Sequence, residues 1–168
     1  MSIKHSVFLG TAVLTLSWAA SAVAAIVEWP LDRMAVESEV IVRGHVESLE
    51  SRWLDGPSSI IVTDVVFVVD EVWKGTGRVA SGATLALRVN GGKVGEIGMV
   101  QEHQPVFQEK EEAVIFLWTN DLGRTVIFND EQGKYTVLGD KVIGFKQAPL
   151  DLGPFKTSIE QVVRSGKR

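Results

Sequence analysis

Residues 60–73 read IIVTDVVFVVDEVW and carry the clearest signal of fold class in the chain. Val, Ile and Phe favour strands, because branched and aromatic side chains pack well on a pleated surface. A period of two defines one core face, formed by Val65, Phe67 and Val69. Val72 is apolar but out of phase with that face. We predict a β-bulge near Asp70-Glu71, which restores the phase and bends the strand, as closed sheets require.

Alternation of apolar and polar residues recurs on both sides of this stretch. Every second residue from Val40 to Val46 is small or apolar. The opposite face carries Ile41, Arg43, His45 and Glu47. Further strands are predicted at residues 83–90, 112–118, 124–128, 135–138 and 142–145. Segments rich in Gly, Asn and Asp separate them and predict turns. Many short strands with regular turn signals are typical of a barrel or a sandwich.

Two short helices frame the predicted strands. Pro30 suits a first helical turn, where its missing N–H costs no hydrogen bond, and it predicts a helix within residues 29–38. Near the C-terminus, Thr157-Ser158-Ile159-Glu160 matches a capping box and predicts a two-turn helix that ends near Gly166. We therefore predict a mainly β fold, namely a small antiparallel OB-like barrel with a short N-terminal helix and a short C-terminal helix. A two-sheet sandwich is the alternative.

The N-terminus has the order of a secretory signal peptide. Lys4 precedes an apolar run of 14 residues, and small residues follow that run. Ala22-Val23-Ala24 matches the usual cleavage pattern, so we predict cleavage after Ala24 or Ala25. An uncleaved anchor is the alternative, but a spanning helix needs about 20 apolar residues. We predict a signal peptide at 1–25, a single β-barrel domain at 26–168, and a periplasmic or secreted mature protein.

Composition argues against several classes of function. The formal net charge is −4, and loss of Lys4, the one charged residue among the first 25, changes it to −5. An acidic domain is a poor partner for nucleic acid, because affinity depends on Lys and Arg contacts to phosphate. No later segment is apolar and long enough to enter a bilayer. The chain has no cysteine, so its stability must come from its core without disulfides.

The segment GGKVGEIGMVQEHQPVFQEKEE, residues 91–112, separates two predicted strands. Loops of this length in a compact domain are usually functional or disordered. Dense glycine permits unusual backbone angles and close approach of a partner. The apolar residues predict that the loop folds onto the barrel; they are Val94, Ile97, Met99, Val100 and Phe107. The predicted ligand-binding residues are Gly92, Lys93, Gly95, Glu96, Gly98, Gln101, Glu102 and His103.

The glycine spacing of this loop does not indicate a nucleotide site. Gly92-x-x-Gly95-x-x-Gly98 differs from the G-x-G-x-x-G fingerprint, and no Gly-Lys-Ser/Thr sequence follows. The structural context that a phosphate loop needs, a helix directly after the glycines, is also absent from the pattern. We therefore predict no nucleotide cofactor.

A hydrolytic function is the main alternative, and it would use Glu102 and His103, with His45 as a further candidate. Zinc needs three or four protein ligands, so one His and one carboxylate are too few. A metal pair of His45 and His103 with Glu47 or Glu102 is left open. The chain lacks the G-x-S-x-G nucleophile elbow. We therefore predict no catalytic residue, no metal and no cofactor.

Four tryptophans follow the predicted leader, at Trp29, Trp53, Trp73 and Trp118. They could line a carbohydrate or peptide groove. Aromatic side chains dominate the energetics of protein cores, so we expect most of them to be core or half-buried residues. Trp53 stands beside Arg52 near a loop and is the best candidate for an exposed tryptophan.

A longer pattern links these segments. The segment Leu85–Gly92 precedes a loop with Gly95 and Gly98, and Pro105-Val106-Phe107 then leads into the strand Val114–Leu117. Residues 69–75, 135–139 and Gly144 extend the pattern. Over about residues 29–165 the chain resembles a group of small exported bacterial proteins of unknown function. The order of elements is also similar to the netrin-module or metalloproteinase-inhibitor type of OB barrel. Those inhibitors chelate metal through an N-terminal Cys that this chain lacks, so the likeness implies fold and protein binding alone.

Together these features predict an exported, noncatalytic binding module. The expected ligand is a protein or peptide held by the Gly-rich loop 91–104, and the expected partner is an exported or envelope protein. We expect no nucleic acid partner and no membrane insertion after signal cleavage. The alternatives are an envelope-located hydrolase using Glu102 and His103, and a structural or assembly protein of the envelope.

Overall fold

A computed structural model describes residues 28–56 and 59–166, so the predicted signal peptide lies outside the described residues. The helices are α1 (Leu31–Glu37) and α2 (Leu152–Ser165). The strands are β1 (Val40–Trp53), β2 (Ile61–Lys74), β3 (Thr84–Asn90), β4 (Gly92–Val94), β5 (Ile97–Met99), β6 (Glu112–Thr119), β7 (Thr125–Ile127), β8 (Lys134–Leu138), β9 (Lys141–Ile143) and β10 (Leu150–Asp151). A 3-10 helix, Asp130–Gly133, precedes β8. The prediction of a mainly β fold with a helix near each end is confirmed.

The larger sheet is antiparallel, with the strand order β10-β9-β8-β6-β1-β2-β3 and with β7 paired to β6. β4 and β5 form a separate hairpin. The sheet is not closed into a barrel, because β3 pairs only with β2 among the described strands. Parts of β3 and β7 nevertheless approach within 8 Å between Cα atoms. Paired strands lie only about 4.8 Å apart, so the two edges face each other without a ladder.

A β-bulge bends the central hairpin at the predicted place. Arg43 pairs with Glu71 and Gly44 pairs with Val69, which leaves Asp70 as the extra residue on β2. Such an extra residue bends the strand and increases its twist. Gly44 permits the bend, because a Cβ at this position would lie under 3.0 Å from the backbone of β2. The bulge prediction near Asp70-Glu71 is confirmed.

Two apolar clusters lie on opposite faces of the sheet. The inner cluster fills the curl of the sheet and contains Val46, Phe67 and Ile115, among others. The outer cluster lies between the sheet and the two helices and contains Ile41, Phe116 and Ile159, among others. β6 contributes to both clusters, so its residues Ala113–Leu117 are all buried. Ile41 was predicted on a polar face but is fully buried, because the helices cover that face.

Lys74 holds the end of α1 against the sheet. Its Nζ donates hydrogen bonds to the carbonyl oxygens of Ala35, Val36 and Ser38, at 2.7, 2.7 and 2.5 Å. The last carbonyls of a helix lack hydrogen-bond donors within the helix. The Lys74 ammonium group supplies those donors. Burial lowers the pKa of Lys74.

α2 begins earlier than predicted, at Leu152 rather than near Thr157. Pro154 fits there because the first four N–H groups of a helix have no partner within it. Thr157 and Ser158 lie inside the helix, where their hydroxyls donate to the carbonyls of Gly153 and Pro154. The capping-box prediction is therefore wrong. Within the described chain, no helix is long and apolar enough to cross a membrane.

Candidate functional site

The Gly-rich loop is an ordered hairpin rather than an irregular loop. Gly92 pairs with Met99 and Val94 pairs with Ile97, so β4 and β5 form a short ladder. The hairpin is anchored at its base, where the Gly91 N–H donates to the Ile61 carbonyl at 2.8 Å. The sequence did not reveal this, because Gly residues have low strand propensity and mask the alternation.

The predicted ligand-binding glycines have three different environments. Gly92 has φ +134° and packs so closely on Ser51 and Thr63 that any Cβ would lie under 3.0 Å from them. Gly95 has φ +59° in the exposed turn, with open space around it. Gly98 lies in the strand with open space and an ordinary φ. Gly92 is therefore a packing residue, whereas Gly95 and Gly98 are accessible. The accessible positions also include Lys93 and Glu96.

The apolar residues of the segment divide into anchors and exposed positions. Phe107 is buried, and Val94 and Met99 are half-buried, as predicted. Ile97 is 56% exposed and Val100 is 94% exposed, so the prediction that they fold onto the sheet is wrong. The hairpin is held by its base, and these two side chains stay in solvent.

A second anchor fixes the end of the segment. The Glu131 N–H donates to the His103 carbonyl at 3.1 Å, and His103 Nδ1 lies 3.1 Å from Glu131 Oε1. Gln104 accepts a hydrogen bond from the Asn90 N–H at 3.2 Å and donates to Asp130 Oδ1 at 3.3 Å. The segment thus bridges the end of β3 and the 3-10 helix. Gln101 and Glu102 are exposed.

A third contact fixes the chain just after the hairpin. Lys134 Nζ donates to the Val106 carbonyl at 2.7 Å and to Glu111 Oε1 at 2.5 Å. The Lys134 and Glu111 side chains are only 10% and 8% exposed. The Thr136 hydroxyl also donates to Glu111, so the carboxylate is well satisfied. Val106 is nevertheless 75% exposed, because only its backbone is held.

Two clefts lie on either side of the bridging residue Gln104. The first, which we call the hairpin cleft, has a volume of about 320 Å³. Its apolar lining includes Met99, Val100, Val106 and Phe107. The second, which we call the aromatic cleft, has a volume of about 500 Å³ and lies between the end of β3 and β7. Both volumes fall within or near the range of small-ligand sites, roughly 300–1,000 Å³.

The aromatic cleft combines aromatic rings with side-chain amides. Trp118 and Phe128 form a T-shaped pair with ring centroids 6.2 Å apart, and Phe128 forms a second such pair with Trp29. The polar lining consists of Arg88, Asn90, Gln104, Asn120, Asn129 and Asp130. Trp118 is 38% exposed, whereas Trp53 is half-buried and Trp73 is buried. Trp29 and Trp118 both line the cleft, and Trp118, rather than the favoured Trp53, is the exposed tryptophan.

Arg88 is positioned at the cleft by a carboxylate of the neighbouring strand. Asp64 accepts hydrogen bonds from Arg88 Nε at 2.6 Å and from Arg52 Nε at 2.8 Å. The hydrogen bond from Arg88, together with that from Arg52, holds the pKa of Asp64 below its usual value despite partial burial. The Arg88 guanidinium is therefore fixed by an ionised carboxylate next to the cleft.

The two histidines are not brought together with the acidic residues proposed for them. His45 Nδ1 lies 3.2 Å from Asp70 Oδ2, and His103 contacts Glu131 rather than Glu102. Across residues 28–56 and 59–166, no group of three His, Asp or Glu side chains could hold a metal ion. The metal site left open for His45 and His103 with Glu47 or Glu102 is thus not assembled.

Sequence signals for the cleft residues are weak. Asn120 and Asn129 stand in predicted turns, where Asn is common because its side chain bonds to the local backbone. Only long-range pairing brings both turns beside Gln104 and β3.

The chain matches no protein-family model and no curated protein. The structural features that bear on function are therefore the hairpin and the two clefts.

Proposed function

We propose that this protein is a noncatalytic binding module that holds a protein or peptide partner on the hairpin face, defined as Ile97, Val100 and Val106. The observation that carries the proposal is the 94% exposure of Val100 on a segment whose backbone is fixed on both sides. Single exposed apolar residues are common on protein surfaces. Exposed apolar residues beside an apolar cleft mark interaction surfaces, and Val100 and Val106 both line the hairpin cleft.

The anchors favour binding by lowering its entropic cost. A loop that must become ordered on binding loses affinity, and preorganisation avoids that loss. Here Gly91 holds the base of the hairpin, and Gln104 holds the C-terminal end of the segment 91–104. Lys134 holds the chain that follows, at the Val106 carbonyl. The exposed side chains are therefore presented on a backbone that is already in place. The apolar character of the face fits a partner with a complementary apolar patch.

The place of action is part of the same proposal. Residues 1–25 have the order of a signal peptide, which supports a periplasmic or secreted protein and hence an exported or envelope partner. We also interpret the curled sheet as an incomplete OB-like barrel. The close approach of β3 and β7 supports that interpretation, because these are the edges that a closed barrel would join.

The experiment compares partner capture by three proteins in envelope fractions. Ile97→Asp with Val100→Asp places two charges on the hairpin face. Leu122→Asp is the matched control, because Leu122 is 76% exposed in a different loop. After chemical crosslinking, mass spectrometry identifies the captured proteins. We expect the double variant to lose a partner that the wild type and the control both retain.

The same experiment can contradict the proposal. If all three proteins capture identical sets, the hairpin face is not the binding surface. A variant with His103→Ala addresses the hydrolytic alternative. Reproducible hydrolysis that this variant abolishes would replace the binding proposal with an enzymatic one.

A further inference from the structure

We propose that the aromatic cleft is a saccharide-binding site. The inference goes beyond the proposed function, because the cleft and the hairpin face involve different residues. The cleft lies between β3 and β7, where two unpaired strand edges face each other. Its volume of about 500 Å³ suits a small ligand or one end of a longer chain.

The polar groups of the cleft have unused hydrogen-bonding capacity. Asn120 Oδ1 accepts hydrogen bonds from the N–H groups of Leu122 and Arg124, whereas its Nδ2 has no partner among the described residues. The Asn90 side-chain amide is likewise unpartnered within the described chain. Asp130 uses Oδ1 to accept from Gln104, and its Oδ2 is free of partners in the same set of residues. Donors and acceptors are thus both available, as hydroxyl groups require, because each hydroxyl both donates and accepts.

The charge and the rings of the cleft select a neutral ligand with an apolar face. Arg88 and Asp130 are the charged residues of the lining, so its formal charges cancel. A phosphate or a cation would therefore find no excess of opposite charge. Arg33 covers the Trp29 ring at 3.8 Å, which leaves Trp118 as the exposed ring. A sugar ring matches this surface, because it presents hydroxyls at its edge and C–H groups on its face.

The spacing of the strands disfavours an added peptide strand between β3 and β7. A strand that paired with both edges would need about 4.8 Å on each side, or about 9.6 Å between the edges. Parts of β3 and β7 are within 8 Å of each other between Cα atoms. Where the two strands are this close, a polypeptide strand therefore cannot pair with both edges. A sugar ring that forms hydrogen bonds with side-chain amides does not have to pair with either strand edge, so it does not need that separation.

The rim of the cleft is held in an unusual conformation. Asn129 and Asp130 have φ values of 57° and 52°, and His103 has φ 63°. Non-glycine residues with such backbone angles are strained and persist where surrounding contacts fix them, and they cluster at active sites and ligand clamps. The contacts between His103 and Glu131 and between Gln104 and Asp130 supply that fixation. The amides of the cleft are thereby prearranged.

The test follows the Trp118 indole and Asn side-chain amide signals in NMR spectra of ¹⁵N-labelled protein. The probes are cellotetraose, chitotetraose and maltotetraose at millimolar concentration. We expect at least one sugar to shift these signals in a saturable way. Asn120→Asp keeps the Oδ1 acceptor of the turn and replaces the free Nδ2 donor. We expect it to weaken binding about tenfold, as loss of one hydrogen bond can, with no change in Tm.

Two further variants complete the design. Trp118→Ala should weaken binding about tenfold or more, because the stacking ring is lost. Trp53→Ala is the matched control, since Trp53 is outside the cleft, and it should bind as the wild type does. If no sugar shifts the signals, or if Asn120→Asp and Trp118→Ala bind normally, the saccharide site is disproved. Shifts caused by acetyl-tetraalanine-amide in place of the sugars would also overturn it, in favour of a peptide site.

The outcomes separate this inference from the proposed function. Ile97→Asp with Val100→Asp should leave sugar binding unchanged, because neither residue lines the aromatic cleft. If these changes abolish protein capture while sugar binding persists, both sites exist. If the wild type binds a sugar but captures no partner through the hairpin face, the proposed function has failed. If it captures a partner through that face but binds no sugar, the saccharide proposal has failed.

Discussion

Replacing the glycines of the hairpin by alanine, one at a time, should give three different stabilities. Gly92→Ala is the severe case, because φ is +134° and a Cβ would lie under 3.0 Å from Thr63 Oγ1 and Ser51 Oγ. The backbone strain costs about 1–3 kcal/mol. Overpacking adds about 1–3 kcal/mol. The free energy of unfolding should therefore fall by about 2–6 kcal/mol, unless the hairpin detaches and relieves the strain.

Gly95 and Gly98 provide the matched comparison. Gly95→Ala meets no neighbouring atom but must adopt φ +59°, which costs about 1–2 kcal/mol. Gly98→Ala meets neither a neighbour nor an unusual φ, so its effect should stay within about 0.5 kcal/mol. All three residues belong to the predicted ligand-binding set, and composition does not distinguish them. The ranking depends on backbone geometry alone.

The assay is urea unfolding combined with amide hydrogen exchange. Urea unfolding measures the global free energy, and exchange reports whether β4 and β5 remain protected. Detachment of the hairpin in Gly92→Ala would appear as loss of protection in those two strands with a smaller global effect. If Gly92→Ala changes neither quantity, or if Gly98→Ala is equally destabilising, the close approach of the hairpin to β1 and β2 is wrong.

Three further predictions concern charged groups. Lys74→Met leaves three carbonyls at the end of α1 without their donor and should lower the free energy of unfolding by about 2–3 kcal/mol in urea titrations; an unchanged value would refute the capping role. The hydrogen bond from Lys156 lowers the pKa of Glu71, and the hydrogen bond from Arg88 lowers that of Asp64. Their contribution to stability is therefore complete above their unfolded pKa values, 4.5 and 3.8, and is lost as pH falls through the lower folded values. The double variant Glu71→Gln with Asp64→Asn should show a smaller loss of Tm between neutral and acidic pH than the wild type, and an equal loss would contradict the linkage. Glu111→Ala leaves the buried Lys134 ammonium unpaired and should cost about 3–5 kcal/mol. Glu111→Gln with Lys134→Met should recover much of that loss, and no recovery would argue against a buried ion pair.

Most of the sheet was predictable from the sequence, because its strands have one buried face or two. Alternation placed Val65, Phe67 and Val69 in the core, and the phase error at Val72 indicated the bulge at Asp70. The prediction for Ile41 was wrong because a period of two cannot show that helices cover the second face of a sheet. The start of α2 was mispredicted because a capping box is a local pattern, whereas the helix extends over residues that bury Phe155 against the sheet.

The site was predicted only in part. The sequence singled out the segment 91–104, whose part in binding stays a prediction. Its hairpin, its exposed Val100 and its bridge to the 3-10 helix were not predicted, because they depend on contacts with residues far along the chain. Glu102 and His103 drew attention as a local pair, although His103 contacts Glu131 instead. Asn120 and Asn129 stand in predicted turns, where Asn is common, so the sequence did not mark them as cleft residues. Side-chain amides have no spacing rule, so only the folded chain shows which of them converge.

The shared position of β6 determines how this domain can come apart. One face of β6 completes the inner cluster and the other completes the outer cluster, so neither core exists without it. Removing α1 and α2 from the sheet would expose Val114 and Phe116, while opening the curl would expose Ala113, Ile115 and Leu117. Loss of either core thus withdraws support from the strand on which the other is built. The two layers should therefore melt together, as a single cooperative unit with one calorimetric transition.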